Sequence, residues 1–185
     1  MIGASVPGLP LILAGRSEDL GWAITSSYID DQDILVEEID PKRPDYFKTT
    51  KGYRKFESRS SIIQIRNQEP VTILIKKSRN GPIIYPEKIN IQQITPKQHV
   101  MALASTALEA NDKSVEAFLN LMKSKSVKVA ENAMTNFQSP SLNLTLADKK
   151  DISISTIGLR PERQKGHQSQ GRWPSYGWRK ANQWS

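Results

Sequence analysis

Residues 2–38 read IGASVPGLPLILAGRSEDLGWAITSSYIDDQDILVEE. Pro7, Gly8 and Pro10 punctuate a lead-in, and Leu11 to Ala14 then form a continuous apolar run of the kind that suits a strand buried on both faces. Gly15 to Asp19 turn the chain, and Leu20, Trp22, Ala23 and Ile24 make a second strand. Ile34, Leu35, Val36 and Ile39 make a third, and the three are expected to lie side by side in one core. Between the second and third strands stands SSYIDDQD, residues 26–33. Asp30, Asp31 and Asp33 repel one another, so the fold must offset that repulsion with solvent, with cationic side chains or with a bound metal ion.

The chain has 185 residues, enough for one core and few for a multidomain enzyme. It has no cysteine, which removes a disulfide framework, a thiolate metal site and a cysteine nucleophile. Lys and Arg number 26 against 19 acids, a net charge of +7 that permits an anionic partner without requiring one. No run approaches the roughly 18 apolar residues of a membrane span, so no membrane partner is expected. The first residues lack a signal-peptide pattern, and strand-like sequence directly after Met1 suggests that the chain starts inside a domain.

Five segments are expected. Residues 1–40 hold the core strands. Residues 41–98 read as a β-hairpin extension, with a small hairpin from Tyr46 to Tyr53 turning at Lys51-Gly52. A clearer hairpin joins Ser61–Arg66 to Val71–Lys76 through Asn67-Gln68-Glu69-Pro70, and Asn80-Gly81-Pro82 turns into a further strand. Residues 99–138 read as a helical region that opens on the apolar run from Val100 to Ala104. Val115, Phe118, Leu119 and Met122 recur at helical spacing behind Asp112 as N-cap, and Val129, Ala130, Ala133, Met134 and Phe137 form a second helical face. Residues 139–159 return to strands, with Leu142, Leu144 and Leu146 alternating with polar neighbours and a second alternating strand from Ile152 to Ile157. Residues 160–185 form a basic loop with Trp173, Tyr176, Trp178 and Trp184 interleaved among Arg and Lys.

Self-contained catalytic machinery is missing from this pattern. His99 and His167 lack the spacing of a metal pair, and no Gly-rich phosphate loop, HExxH or GxSxG occurs. The basic, aromatic tail has the composition used to bind single-stranded nucleic acid, in which cations follow phosphates and rings stack on bases. A small basic nucleic-acid-binding protein is therefore an alternative reading, although no recognised nucleic-acid module precedes the tail.

The run GASVPGLPLILAGRSEDLGWAITSSYIDDQD, residues 3–33, resembles the β-chain segment of the penicillin acylase (penicillin amidase) family. There a VPGxP lead-in, a Gly-polar turn, a Trp-containing strand ending in Thr and a D-x-QD-like cluster occur in the same order. Asp40 to Phe56 is similar to the family's hairpin insertion, Arg79-Asn80-Gly81-Pro82 to its HGP-type turn, and Asn143 to Asp148 to its NxxxAD strand. GLRPERQKGHQSQGRWPSYGW, residues 158–178, is similar to its GxxPxR region and the loop beyond.

The resemblance implies an α+β fold, a fragment of the αββα sandwich of N-terminal nucleophile hydrolases with an inserted β-hairpin region and covering helices. It implies hydrolysis of a linear amide in a small-molecule substrate through an acyl-enzyme, formed on a nucleophile whose own α-amino group serves as base. Ser26 matches the position whose backbone N–H contributes to the oxyanion hole. Asp30, Gln32 and Asp33 match a structural calcium cluster, two carboxylates with a main-chain carbonyl between them, and Ser169 matches another carbonyl donor to that ion. The family's nucleophile lies upstream of the VPGLP lead-in and its oxyanion asparagine downstream of the tryptophan-rich loop. The resemblance thus implies an interior piece of a β chain, inactive alone, whose partners are the remainder of the α and β chains. It also implies a periplasmic or secreted parent, and leaves a nucleic acid as the less favoured partner.

Overall fold

The structure is a computed structural model that describes residues 1–85 and 91–184. In chain order the strands are β1 (Ile2–Ser5), β2 (Ile12–Arg16), β3 (Gly21–Ser26), β4 (Gln32–Asp40), β5 (Arg43–Thr49), β6 (Gly52–Lys55), β7 (Glu57–Ile63), β8 (Val71–Ser78), β9 (Gly81–Ile84) and β10 (His99–Ser105). Helices α1 (Ser114–Lys123) and α2 (Val127–Met134) follow, then β11 (Leu142–Ala147), β12 (Ile152–Ile157) and the two-residue β13 (Ser175–Tyr176). These elements form two compact units. One joins Met1–Asp31 to Thr106–Arg160, and the other joins Gln32–Ser105 to the segment from Pro161 onward.

The first unit is an antiparallel sheet in the order β1-β2-β3-β11-β12 with both helices on one face. Its register follows from side-chain alternation. Trp22 lies opposite Leu146 and Ile24 opposite Leu144, so one face of the sheet becomes a continuous apolar layer in which Leu144 and Leu146 are fully buried. The indole Nε1 of Trp22 donates to the carbonyl of Ile12 at 2.8 Å, which lets a large aromatic fill the core with its one polar atom satisfied. Ala117, Phe118 and Leu121 of α1 and Val127, Ala130 and Met134 of α2 close over this layer, and Phe118 meets Phe137 edge-on at 5.8 Å.

The helices form where the 3.6-residue period begins, with one shift of phase. Ser114, Ala117, Phe118 and Leu121 are the buried positions of α1, whereas Val115 is about half exposed, as is Val129 of α2. Of the expected stripe, Phe118 is fully buried and Leu119 and Met122 pack partly buried against the core, while Val115 falls outside it. Asp112 stands one residue before the N-cap position, Lys113, and accepts from the backbone N of Ser114 at 2.8 Å and from its hydroxyl at 2.6 Å. At α2, Ser126 caps the backbone N of Val129, and Asp148 Oδ2 takes the N–H of Val127 at 2.8 Å.

The second unit is antiparallel in the order β6-β5-β4-β10-β9-β8-β7, with β13 added in parallel to β4. The expected hairpins are present. Thr49 pairs with Gly52 at the β5–β6 turn, and Ile63 with Val71 at the β7–β8 turn. Phe47 and Phe56, 4.8 Å apart between ring centroids, anchor a small core with Ile83 and Ala102. Within the expected extension over residues 41–98, residues 86–90 lie outside the described residues.

Two expectations are corrected. The strand from Ile34 to Ile39 does not join the first two, because β4 belongs to the other sheet, between β10 and β5. The edge of β3 that it would have used is taken by β11, with Ser26 opposite Leu142. The helical region does not begin at residue 99 either, since His99–Ser105 is strand β10, bonded to β4 on one edge and β9 on the other. A short apolar run reads equally as buried strand or helix until both its hydrogen-bonding edges are known. The architecture is mostly β with few helices. Among the described residues no helix is long and apolar enough to cross a membrane.

Candidate functional site

Ser26 is the last residue of β3 and is exposed. Beside it, the Nδ2 group of Asn143 donates to the carbonyl of Ser26 at 3.3 Å and to Thr25 Oγ1 at 3.4 Å. Asn143 Oδ1 in turn accepts from Thr156 Oγ1 at 3.1 Å, which fixes the orientation of the amide. Strand alternation makes this cluster possible. Thr25, Asn143 and Thr156 stand opposite one another across three neighbouring strands, on the face of the sheet away from the helices. The end of β3 is therefore held by side-chain bonds as well as by the ladder. Asn143 belongs to a stretch singled out from the sequence, but its contact with Ser26 becomes visible only once the register is fixed.

The residues matched to a calcium cluster have different fates. Asp30 is exposed and lies in the first unit, with Gln32 and Asp33 at the start of the second. Asp33 is buried, and its carboxylate is engaged by protein donors. Arg163 Nε donates to Oδ2 at 2.9 Å and Arg163 Nη2 to Oδ1 at 3.1 Å, while Trp184 Nε1 donates to Oδ2 at 2.6 Å. The same Nη2 group reaches the carbonyl of Gln32 at 3.3 Å. The Ser169 carbonyl accepts from the backbone N of Arg172 at 3.2 Å, and its hydroxyl pairs with Ser175 at 2.7 Å. Among the described residues no group of three or more His, Asp or Glu side chains converges as a cation site. The donor set does not fit a calcium ion, because two of the expected donors, the Asp33 carboxylate and the Gln32 carbonyl, already bind a guanidinium.

His167 completes this corner. Its Nδ1 accepts from the backbone N of Ser169 and of Gln170, at 3.3 and 3.0 Å, which assigns the ring proton to Nε2. Nε2 lies 3.9 Å from Asp33 Oδ2. The sequence held no local sign of the link between Asp33 and Arg163 or Trp184, since the partners are 130 and 151 residues apart. The usable signal was chemical, in that a buried carboxylate requires a cation or several N–H donors.

The aromatic tail is largely committed to packing. Tyr176 and Trp178 lie 4.6 Å apart, His99 is 5.9 Å from Trp178, and Arg179 stands over Tyr176. Trp184 is tied to Asp33, and Trp173 is the exposed tryptophan of the segment. Tyr176 and Trp178 are half-buried in this stack.

A second buried carboxylate, Glu37 on β4, accepts from Asn80 Nδ2 at 2.8 Å through Oε1, and its Oε2 has no hydrogen-bond partner. Burial pushes the Glu37 carboxyl above its ordinary range, against the opposing effect of its donors. Elsewhere in the second unit an apolar cavity of about 390 Å³ is lined by Ile39, Phe56, Leu74, Ile83 and Val100. Lys76 on its wall is paired with Asp45 at 2.9 Å, so the described lining suits an apolar group.

This fold is that of the penicillin acylases. The structure matches the solved thermostable penicillin G acylase from Alcaligenes faecalis in its orthorhombic form with a TM-score of 0.81, at 21% identity, over 98% of this chain and 31% of that one. The family model for penicillin amidase matches residues 1–185, and the chain belongs to that family. Among curated relatives it is similar to the acyl-homoserine lactone acylase QuiP of Pseudomonas aeruginosa, 29% identical over 95% of this chain and 21% of that protein. It is also similar to QuiP of Pseudomonas fluorescens strain Pf0-1, 28% identical over 98% of this chain and 22% of that protein. The chain thus spans about a fifth of the length of the curated relatives it matches.

Proposed function

We propose that this chain is part of an amide hydrolase that cleaves a linear C–N bond through an acyl-enzyme, with the nucleophile supplied by sequence outside residues 1–185. The observation that carries this reading is the similarity to acylases across the whole chain, from the β1–β3 region through the tail. The end of β3 suits the role given to it. A backbone N–H at Ser26 stabilises a tetrahedral oxyanion only if the strand end is rigid, and the Asn143 contacts to Ser26 and Thr25 supply that rigidity.

The fuller architecture is an αββα sandwich, of which the first unit supplies one sheet and its helices. The helix-free face of that sheet presents Ile152 and Ile154 at 79% and 74% exposure, an apolar surface suited to a second sheet. The remaining α- and β-chain sequence of the parent enzyme is the partner in this reading. The substrate is a small amide, with N-acyl-homoserine lactones the first class to test because the curated relatives are named for them. The parent works in the periplasm or outside the cell, where a chain without cysteine needs no redox protection.

The test is to express the full-length protein and follow release of the free amine from acyl-homoserine lactones of varied chain length and from penicillin G. Amine release with burst kinetics supports acyl-enzyme chemistry. A folded, processed protein that releases no amine from any of these substrates overturns the reading.

A further inference from the structure

We propose that the guanidinium of Arg163 takes the place of a metal cation at Asp33, so that the protein closes this corner with an internal ion pair and recruits no calcium there. Arg163 binds both oxygens of Asp33 and the main-chain carbonyl of Gln32 through Nε and Nη2. A carboxylate followed or preceded by a main-chain carbonyl is the oxygen pair a hard cation would use, and one planar group here satisfies both. Trp184 adds a third N–H to the carboxylate. These three donors use most of the roughly four acceptor positions that a carboxylate offers.

The pair is deeply placed, with the Arg163 and Asp33 side chains 10% and 3% exposed. Arginine does not lose its proton in a protein, so a divalent ion bound to the same carboxylate would face a permanent positive charge a few ångströms away. Calcium could enter only by displacing Arg163 from both oxygens of Asp33. The His167 ring lies beside the pair, its Nδ1 accepting from two backbone N–H groups and its Nε2 turned toward Asp33 Oδ2. The pair therefore fastens β4 to the loop that carries Arg163, His167 and Trp184, all within the second unit.

The experiment uses the native full-length protein. Metal content is measured after dialysis against calcium and then against calcium-free buffer, and Tm is measured with excess calcium chloride and with excess EDTA. No retained calcium attributable to Asp33 and a Tm unchanged to about 1 °C between the two conditions are expected. Arg163→Met should lower Tm by roughly 5–10 °C, and Asp33→Asn by a similar amount. The double variant should fall well short of their sum, as coupled partners do. Stoichiometric calcium in the wild type, with a Tm that EDTA lowers and Asp33→Asn makes insensitive, would overturn the proposal. Additive effects of the two single changes would overturn it as well. If Arg163→Met does not fold, metal content and the EDTA response of the wild type decide.

Discussion

A Cβ placed on Gly81 would come within 1.9 Å of the carbonyl oxygen of Leu103, because the start of β9 runs against the backbone of β10. Gly81 also holds φ at +138°, where a side chain is strained whatever space it has. Gly81→Ala should therefore destabilise the protein by about 3 kcal/mol or more, since neither the backbone contact nor the dihedral can relax cheaply. Urea denaturation of the two proteins checks this, and a midpoint unchanged by the substitution would show that the β9–β10 contact is not as close as described.

Trp22→Phe should cost about 1–3 kcal/mol. The phenyl ring keeps much of the buried apolar surface but leaves the Ile12 carbonyl without the indole N–H, its partner at 2.8 Å. Thermal unfolding followed by circular dichroism measures the loss, and Trp22→Ala should roughly double it by adding a cavity.

Glu37 makes stability fall with rising pH. Its folded-state pKa lies above 4.5 because burial disfavours the carboxylate. Between 4.5 and that higher folded value, the folded protein keeps a proton that the unfolded chain has released. Stability attributable to Glu37 is complete below this window, declines through it and is level above it. Glu37→Gln should remove that slope, so the Tm difference between variant and wild type should grow in the variant's favour as pH rises through the window. A difference independent of pH would contradict the assignment.

Asp148 acts in the opposite direction. Its carboxyl is held below 3.8 by the N–H of Val127 first, then by those of Lys150 and Asp151. The contribution is present above 3.8 and is lost as pH falls through the lower folded value. Asp148→Ala should lower Tm by a few degrees at neutral pH by uncapping α2. The gap should close in strong acid, where the wild-type carboxylate is itself protonated.

On the proposed amide-hydrolase reading, Asn143→Ala should lower kcat of the full-length protein by about tenfold while leaving KM nearly unchanged, because the amide orients the Ser26 end of β3. Tm should move little, since Asn143 is only half-buried and stands on the sheet face away from the helices. A fall in KM-dependent terms alone, with kcat intact, would assign Asn143 to substrate binding instead.

The sequence carried the hairpins and the first core clearly, for local reasons. Asn67 to Pro70 and Lys51-Gly52 have the chemistry of turns, and the Leu142, Leu144, Leu146 alternation has one register that turns all three leucines to the core face. The placement of β4 was not legible. A strand of Ile, Leu and Val fits either sheet, and the choice was made by β11, which arrives more than a hundred residues later to take the edge of β3. The same distance hid Arg163 and Trp184 from Asp33, so the sequence showed the acidic cluster without the donors that meet Asp33. Ser26 and Asn143 were both within motifs singled out from the sequence, but their contact depended on a strand register that only the folded sheet supplies.

Neither unit is contiguous, and β4 receives β13 on one edge through Ser175 and Tyr176. On the ribosome, that edge of β4 emerges with its peptide groups unpaired and stays so while the β10, helix and β11–β12 sequence is translated. At usual elongation rates the wait is on the order of ten seconds. An open strand edge of that lifetime is a site for wrong pairing between nascent chains. Yield of soluble protein should therefore respond to translation speed and to chaperone supply more strongly than its equilibrium stability would suggest.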